Sequence, residues 1–122
     1  MKKIVIFGCQ QIAVDFIRYV LNQSDVEISL VVTYELTLDK TYGYESVIEK
    51  FSRTDIEVLS PSRITNSLID KVRNINPDYI VNCIGTLISQ SNKDPQSAIF
   101  LNAYLPHKLA SIANQLSAKL IH

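Results

Sequence analysis

Apolar residues follow two spacings that alternate along the chain. Strand-length runs rich in apolar residues, Ile4 to Phe7 and Ile28 to Val32, are typical of strands buried on both faces of a sheet and predict strands from Lys2 to Phe7 and from Val26 to Thr33. Between these runs, apolar residues recur at the spacing of one helix face, as they do from Ile12 to Leu21. Further strands are predicted at 56–59, 77–85 and 118–122, and further helices at 45–51, 65–75 and from 94 onward.

The alternation of strand and helix predicts an α/β fold with a parallel sheet. Because parallel strands are joined by right-handed crossovers, the expected architecture is a three-layer, Rossmann-like sheet of five strands in the order 3-2-1-4-5. A chain of 122 residues, 47% of them hydrophobic, can bury a substantial core. Residues 1–122 are therefore expected to form a single domain.

The helix predicted after Asp94 contains a proline. Asp94 can cap this helix and Pro95 suits its first turn, whereas Pro106 falls within its periodic pattern. Because a proline ring removes one helical hydrogen bond and clashes with the preceding turn, the helix is expected to kink or split near Tyr104. The apolar side chains expected to face the sheet are Leu101, Leu105, Leu109 and Ile112.

Charge and cysteine content argue against several classes of protein. The 12 basic and 12 acidic residues cancel, which disfavours a broad surface for nucleic acid or an anionic membrane. The apolar runs are far shorter than a membrane span. Cys9 and Cys83 lack the C-x-x-C spacing of a metal or redox motif, so reduced thiols, a cytoplasmic location and no metal site are expected.

The strand predicted from Pro77 to Gly85 organises the candidate site, because it ends in polar and small residues. Ligands of open α/β sheets bind outside the carboxyl ends of the strands, where the strand order reverses. The first and fourth strands are neighbours at that point, so Cys9 and Cys83 should have α-carbons within roughly 10 Å of each other. The candidate contacts on the fourth strand are Asn82, Cys83 and Gly85.

The turn after the first strand supplies the other half of this crevice. A helix N-terminus offers unpaired amides to an anion, here those of Gln10 and Gln11 behind Gly8. The three-glycine dinucleotide pattern is not followed, and the side chains of Gln11 and Val14 are expected to stand where glycine would let a pyrophosphate approach. We therefore expect weak anion binding.

Three other polar residues, Glu35, His107 and His122, are candidates for chemistry. Glu35, after the second strand, could hold a ribose hydroxyl as the acidic residue of dinucleotide-binding folds does, although a solvated loop position is the alternative. His107 lies within a predicted helix and His122 is the final residue, and no serine or cysteine is taken as a nucleophile paired with either. Nucleophilic catalysis is therefore not expected.

The first part of the chain carries sequence features of one known family. They are Ile-Val-Ile-Phe-Gly at 4–8, Ile-Ala-Val at 12–14, Val-Val-Thr-Tyr-Glu-Leu at 31–36, Asp-Lys-Thr-Tyr-Gly-Tyr at 39–44, Val-Leu-Ser-Pro-Ser-Arg-Ile at 58–64 and Asn-Pro-Asp at 76–78. With these features, residues 1–80 resemble the N-terminal domain of formyltetrahydrofolate-dependent formyltransferases, in particular the sugar N-formyltransferases. In that family one glycine and one alanine suffice in the opening turn.

The last part of the chain resembles a different family. Its features are Val-Asn-Cys-Ile-Gly at 81–85, Ile-Phe-Leu-Asn-Ala at 99–103, Pro-His-Lys-Leu-Ala at 106–110 and Lys-Leu-Ile-His at 119–122. Residues 77–122 thereby resemble extended short-chain reductases of the dTDP-4-dehydrorhamnose reductase kind. This resemblance implies that the Asn-Cys-Ile-Gly edge lines an NAD(P) site and that Asn102 helps to organise it.

Both families act on nucleotide-linked sugars for surface polysaccharides, and this shared chemistry is the function that the resemblances imply. The first expectation is a formyltransferase-like nucleotide-binding module of nucleotide-sugar biosynthesis, a catalytically incomplete fragment or fusion. The alternatives are the NAD(P)-binding part of a sugar-nucleotide reductase and a non-enzymatic module that binds a partner through an open sheet edge. The implied cofactor is formyltetrahydrofolate or NAD(P), and the implied assembly is a homo-oligomer or a chain with a missing C-terminal domain.

Catalysis by these residues is not expected from either resemblance. The Asn-x-His and later Asp motif of the formyltransferases is taken as absent, and so are the Ser-Thr-Asp and Tyr-x-x-x-Lys motifs of the reductases. Binding residues are still expected, and they are Gly8, Cys9, Gln10, Gln11, Ile12, Asn82, Cys83, Gly85 and Asn102.

Overall fold

The computed structural model describes residues 1–34, 43–61, 64–84 and 103–122. Within these ranges the strands are β1 (Lys2–Gly8), β2 (Val26–Val32), β3 (Val58–Leu59), β4 (Tyr79–Cys83) and β5 (Lys119–Ile121). The helices are α1 (Gln10–Leu21), α2 (Val47–Phe51), α3 (Asn66–Ile75) and α4 (Leu105–Leu116).

The five strands form one sheet in the order β3-β2-β1-β4-β5, and every pair of neighbours is parallel. This confirms the predicted α/β class and strand order. Strand β4 lies between β1 and β5 and pairs with both. Its apolar residues Ile80 and Val81 are buried, as is Ile84 just beyond it, because strands in the middle of such a sheet have helices on both faces.

The core is divided by the sheet into two layers of side chains. One layer joins β-strand residues to α3 and α4, as in the packing of Val5 and Ile80 with Val72 and Leu109. The other joins the opposite sheet face to α1 and α2, as in the packing of Ile6 with Ile17 and other residues. The continuous apolar runs of the strands are explained by these two layers, since alternate residues of each run enter opposite layers.

Helix α3 shows how local sequence fixes its ends. Thr65 is the N-cap, and its hydroxyl accepts a hydrogen bond from the Leu68 amide at 3.2 Å. The helix ends at Ile75, and Asn76 adopts the left-handed conformation with φ of 51°. Asparagine tolerates this conformation, and Pro77 disfavours a further helical residue before it. Both features deliver the chain to the start of β4.

The last described helix begins close to its proline. Regular α-helix starts at Leu105, and Pro106 occupies the first turn, where its missing amide has no helical partner to lose. Ala103 and Tyr104, directly before it, form wider π-type turns, so the departure from regular helix falls within one turn of Pro106. Leu105, Leu109 and Ile112 are buried against the sheet, as predicted, whereas Leu101 and the predicted helix start at 94 lie outside the described residues.

Among the helices in the described part of the chain, none is both long enough and apolar enough to cross a bilayer.

Candidate functional site

The carboxyl ends of β1 and β4 meet at Gly8 and Cys83, which are register partners. A Cβ atom placed on Gly8 would lie 2.8 Å from the Ala13 Cβ and 2.9 Å from the Cys83 Sγ. These distances are too short for non-bonded carbon and sulfur atoms, so position 8 requires glycine for space. The missing side chain lets the first turn of α1 pack directly against the sheet.

The turn between β1 and α1 follows the spacing of a dinucleotide fingerprint, with Gly8, Gln10 and Ala13 at its three glycine positions. In that pattern the first and third positions are five residues apart, as Gly8 and Ala13 are, and the second glycine lets backbone approach a pyrophosphate. The second position here is Gln10, whose φ is 66°. Gln10 thus has the left-handed backbone that favours glycine while carrying a side chain.

The side chains of Gln11 and Val14 do not stand in the crevice, contrary to the expectation that they would obstruct a pyrophosphate. Val14 is fully buried in the core between α1 and the sheet, so its side chain does not enter the crevice. The Gln11 amide donates from Nε2 to the Glu45 Oε1 at 2.8 Å, and its Oε1 accepts the Glu45 amide at 3.0 Å. The side chain at the decisive position is therefore that of Gln10.

Glu45 ties the start of α1 to the segment before α2. It also pairs with Arg18 and Lys50, each at 2.9 Å. Hydrogen bonds from Lys50, Gln11 and Arg18 lower the pKa of Glu45 to about 2. Gln11, predicted as a ligand contact, thus has a structural partner, while its neighbour Ile12 is exposed to solvent.

Both cysteines lie at this edge of the sheet, and neither forms a disulfide. Because Cys83 pairs with Gly8 and Cys9 is one residue further on, the two α-carbons are separated by less than about 9 Å, one strand spacing plus one residue. Burial raises the pKa of Cys83 to about 11, so its thiol is protonated at neutral pH. Among the described residues, no group of three or more His, Cys, Asp or Glu side chains could hold a metal ion.

Asn82 is the buried polar residue of the β4 edge. Its side chain is 4% exposed. The Oδ1 atom accepts a hydrogen bond from the Ile84 amide at 3.2 Å, and Nδ2 lies 3.0 Å from Nδ1 of His122. The structure therefore adds His122, which is not among the binding residues expected from the sequence. The signal was the matching end of two neighbouring strands, Ile-Val-Asn at 80–82 and Leu-Ile-His at 120–122.

The carboxyl ends of β2 and β3 continue the same side of the sheet. The Thr33 hydroxyl, just after β2, is buried and has no hydrogen-bond partner among the described residues. A groove of about 320 Å³ lies beyond β3 at the start of α3. Its lysine, Lys71, pairs with Glu57 at 2.7 Å. The residues lining this groove are Leu59, Ser60, Pro61, Thr65, Ser67, Leu68 and Lys71.

The Tyr-x-x-x-Lys spacing expected to be absent does occur once, from Tyr104 to Lys108. Tyr104 is the exposed residue that precedes α4, and Lys108 lies in its first turns. The pair stands before β5, with Pro106 between its members. The expectation that these letters are missing was therefore wrong.

The structure brings together five of the nine predicted binding residues around the β1 and β4 ends. They are Gly8, Cys9, Gln10, Asn82 and Cys83. Gln11 is held by Glu45, and Ile12 is on the outer surface of α1. Gly85, Asn102 and the ribose candidate Glu35 lie outside the described residues. Comparison with models of known protein families and with curated proteins found no match to this chain.

Proposed function

We propose that this chain is a formyltransferase-like nucleotide-binding module of nucleotide-sugar metabolism that acts in the cytoplasm. Its ligand, a folate cofactor or a nucleotide-linked sugar, binds at the carboxyl ends of β1 and β4. The proposal concerns binding alone, because the sequence lacks the Asn-x-His motif of the formyltransferases.

The contact between Gly8 and Ala13 carries this proposal. The 2.8 Å separation from an added Cβ supports the one-glycine, one-alanine opening turn of the formyltransferase resemblance. Gln10, between them, places a side chain where dinucleotide folds bring backbone to a pyrophosphate. The same turn thus accommodates helix packing but disfavours close approach of NAD(P).

A second candidate, an NAD(P)-binding part of a sugar-nucleotide reductase, is favoured by a different feature of that turn. Gln10 already has the left-handed φ of the second fingerprint glycine, and Ala13 is an accepted third residue. The side chain at position 10 therefore decides between the two candidate functions.

Ligand-induced thermal stabilisation can separate these candidates. We expect a rise in Tm with 5-formyltetrahydrofolate or a dTDP-sugar and little change with NADPH. The Gln10→Gly variant should gain response to NADPH and keep its response to the other ligands. Submicromolar NADPH binding by the wild-type chain would reverse the ranking, and no response to any ligand would favour a non-enzymatic binding module.

A further inference from the structure

Both ends of the Asn82 side-chain amide are committed to partners within the protein. The Ile84 backbone N–H is a donor, so the atom that it contacts at 3.2 Å must be the amide oxygen. The end of the amide that faces His122 is therefore the NH2 group. This assignment follows from the donor and acceptor inventory, since a flipped amide would place two donors against each other.

The orientation of the Asn82 amide selects one tautomer of His122. An NH2 group donates and has no acceptor capacity, so Nδ1 of His122 accepts its hydrogen bond over 3.0 Å. In a neutral ring whose Nδ1 is an acceptor, the proton is on Nε2. His122 is exposed. Because Nδ1 faces Asn82, the Nε2–H group is on the part of the ring directed away from Asn82.

The strand register places this pair at the candidate site. Asn82 is the partner of Phe7, one residue before the Gly8–Cys83 pair. On its other side, Val81 is the partner of Ile121, so the next positions along β4 and β5 are Asn82 and His122. The imidazole thus stands at the same carboxyl edge as the β1–α1 turn.

We propose that Asn82 orients His122 so that the Nε2–H of a neutral imidazole donates a hydrogen bond to an anionic oxygen of the bound ligand. This proposal rests on the proposed function, which places the ligand at this edge. His122 is the binding residue and Asn82 is its positioning residue. With Nδ1 engaged and Nε2 protonated, the ring offers a donor here and no free lone pair for a base or a metal ligand. The oxygen belongs to a phosphate or a carboxylate.

The tautomer can be tested without a ligand by ¹⁵N NMR of the imidazole nitrogens at about pH 8.5, above the ordinary titration range of imidazole. We expect the Nε2–H form for His122. The Asn82→Asp variant is the sharpest comparison, because its carboxylate can still accept the Ile84 amide but presents an acceptor to Nδ1. That variant should convert His122 to the Nδ1–H form. The same tautomer mixture in His122 and in exposed His107 would overturn the inferred dyad.

The donor role can be tested by calorimetric titration with 5-formyltetrahydrofolate, dTDP and NADPH as separate probes. The His122→Ala variant should bind the preferred probe about tenfold more weakly, the effect of losing a hydrogen bond to a charged group. The His122→Gln variant keeps an N–H donor and should recover part of the loss. The His107→Ala variant is the matched control and should bind as the wild type does. Preference among the probes separates a carboxylate source from a phosphate source.

The two experiments distinguish failure of this inference from failure of the proposed function. If 5-formyltetrahydrofolate or dTDP binds the wild type and the His122→Ala variant equally well, the donor role is wrong and the proposed function stands. If the wild type binds none of the three probes, the donor role and the proposed function are both overturned, whatever tautomer His122 adopts. If the affinity for 5-formyltetrahydrofolate or dTDP falls in His122→Ala and recovers in His122→Gln, both stand. The same pattern with NADPH alone would support the donor role and favour the reductase candidate.

Discussion

Gly8 at the end of β1 and Ala13 in α1 pack so closely that a Cβ atom on Gly8 would lie 2.8 Å from that of Ala13. The Ala13 methyl group is attached to the helix backbone and cannot rotate away. The approach of α1 to the sheet therefore depends on the absence of a side chain at position 8.

We predict that Gly8→Ala lowers the free energy of unfolding by about 1–3 kcal/mol, the usual effect of overpacking. The reason is that α1 or Cys83 must shift to admit the methyl group. Urea denaturation measures this change. The substitution Ala13→Gly costs about 1 kcal/mol through helix propensity alone. The double variant should therefore lose less unfolding free energy than the two single variants lose in sum. Strict additivity in this cycle would contradict direct contact.

The fold could be predicted because it depends on periodicity. The uninterrupted apolar runs of β1 and β4 and the helical spacing from Ile12 to Leu21 require a sheet covered on both faces. Strand order then brings Gly8 and Cys83 together, since the chain must cross from β3 back past β1. These relationships are encoded by residue type and order alone.

The site was less predictable because it depends on register and on single dihedral angles. The Asn82–His122 pair requires β4 and β5 to align residue for residue, which the length of the apolar runs does not specify. The left-handed backbone of Gln10 is also invisible in the sequence, since glutamine is not a residue that favours it. Val14, expected to crowd the crevice, lies instead on the helix face that packs against the sheet and is buried.

We predict that Ser117→Gly stabilises the protein by about 0.5–1 kcal/mol. Ser117 ends α4 in the left-handed conformation with φ of 54°, and the following Ala118 amide closes the helix end on the Ala113 carbonyl at 2.9 Å. Glycine adopts this φ without the steric cost that a side chain brings. The urea midpoint at constant m-value measures the gain.

The matched control for this change is Asn76→Gly, at the corresponding end of α3. Asn76 has a similar φ of 51°, but asparagine tolerates the left-handed region better than serine does. The gain at position 76 should therefore be smaller. An equal or larger gain at Asn76 would mean that backbone conformation does not explain the effect.

We predict that Glu45 makes the stability of the protein fall at acid pH. Hydrogen bonds from Lys50, Gln11 and Arg18 lower its folded-state pKa to about 2, whereas an unfolded glutamate titrates near 4.3. A depressed folded pKa stabilises the folded state above the unfolded pKa. This contribution is lost as the pH falls from about 4.3 to about 2. Urea midpoints measured across this range should fall less steeply in Glu45→Gln than in the wild type.

The salt dependence supplies a control for the Glu45 prediction. Glu45 and its two cationic partners are partly exposed, so about 1 M salt should screen their attraction and reduce the difference between wild type and variant. If the urea midpoints of the two proteins fall equally with pH at low salt, the Glu45 contacts do not persist in solution.

We predict that the thiol of Cys83, which lies against the Gly8 backbone, reacts slowly in the folded protein. Burial raises its pKa to about 11, and alkylation requires the thiolate. At neutral pH the folded protein should therefore react with iodoacetamide at Cys83 at least about tenfold more slowly than the urea-unfolded chain, whose thiols have an ordinary pKa near 8.5. Peptide mass spectrometry after timed labelling separates Cys83 from Cys9. Equal labelling rates of folded and unfolded protein would show that Cys83 is open to solvent and that the close packing of β1 and β4 at this edge is not maintained.

The raised pKa of Cys83 also predicts how stability depends on alkaline pH. Because the folded pKa is raised, the unfolded chain loses protons first as the pH rises from about 8.5 toward 11, so stability should decrease over this range. Comparison of Cys83→Ser with wild type at alkaline pH isolates the contribution of this thiol.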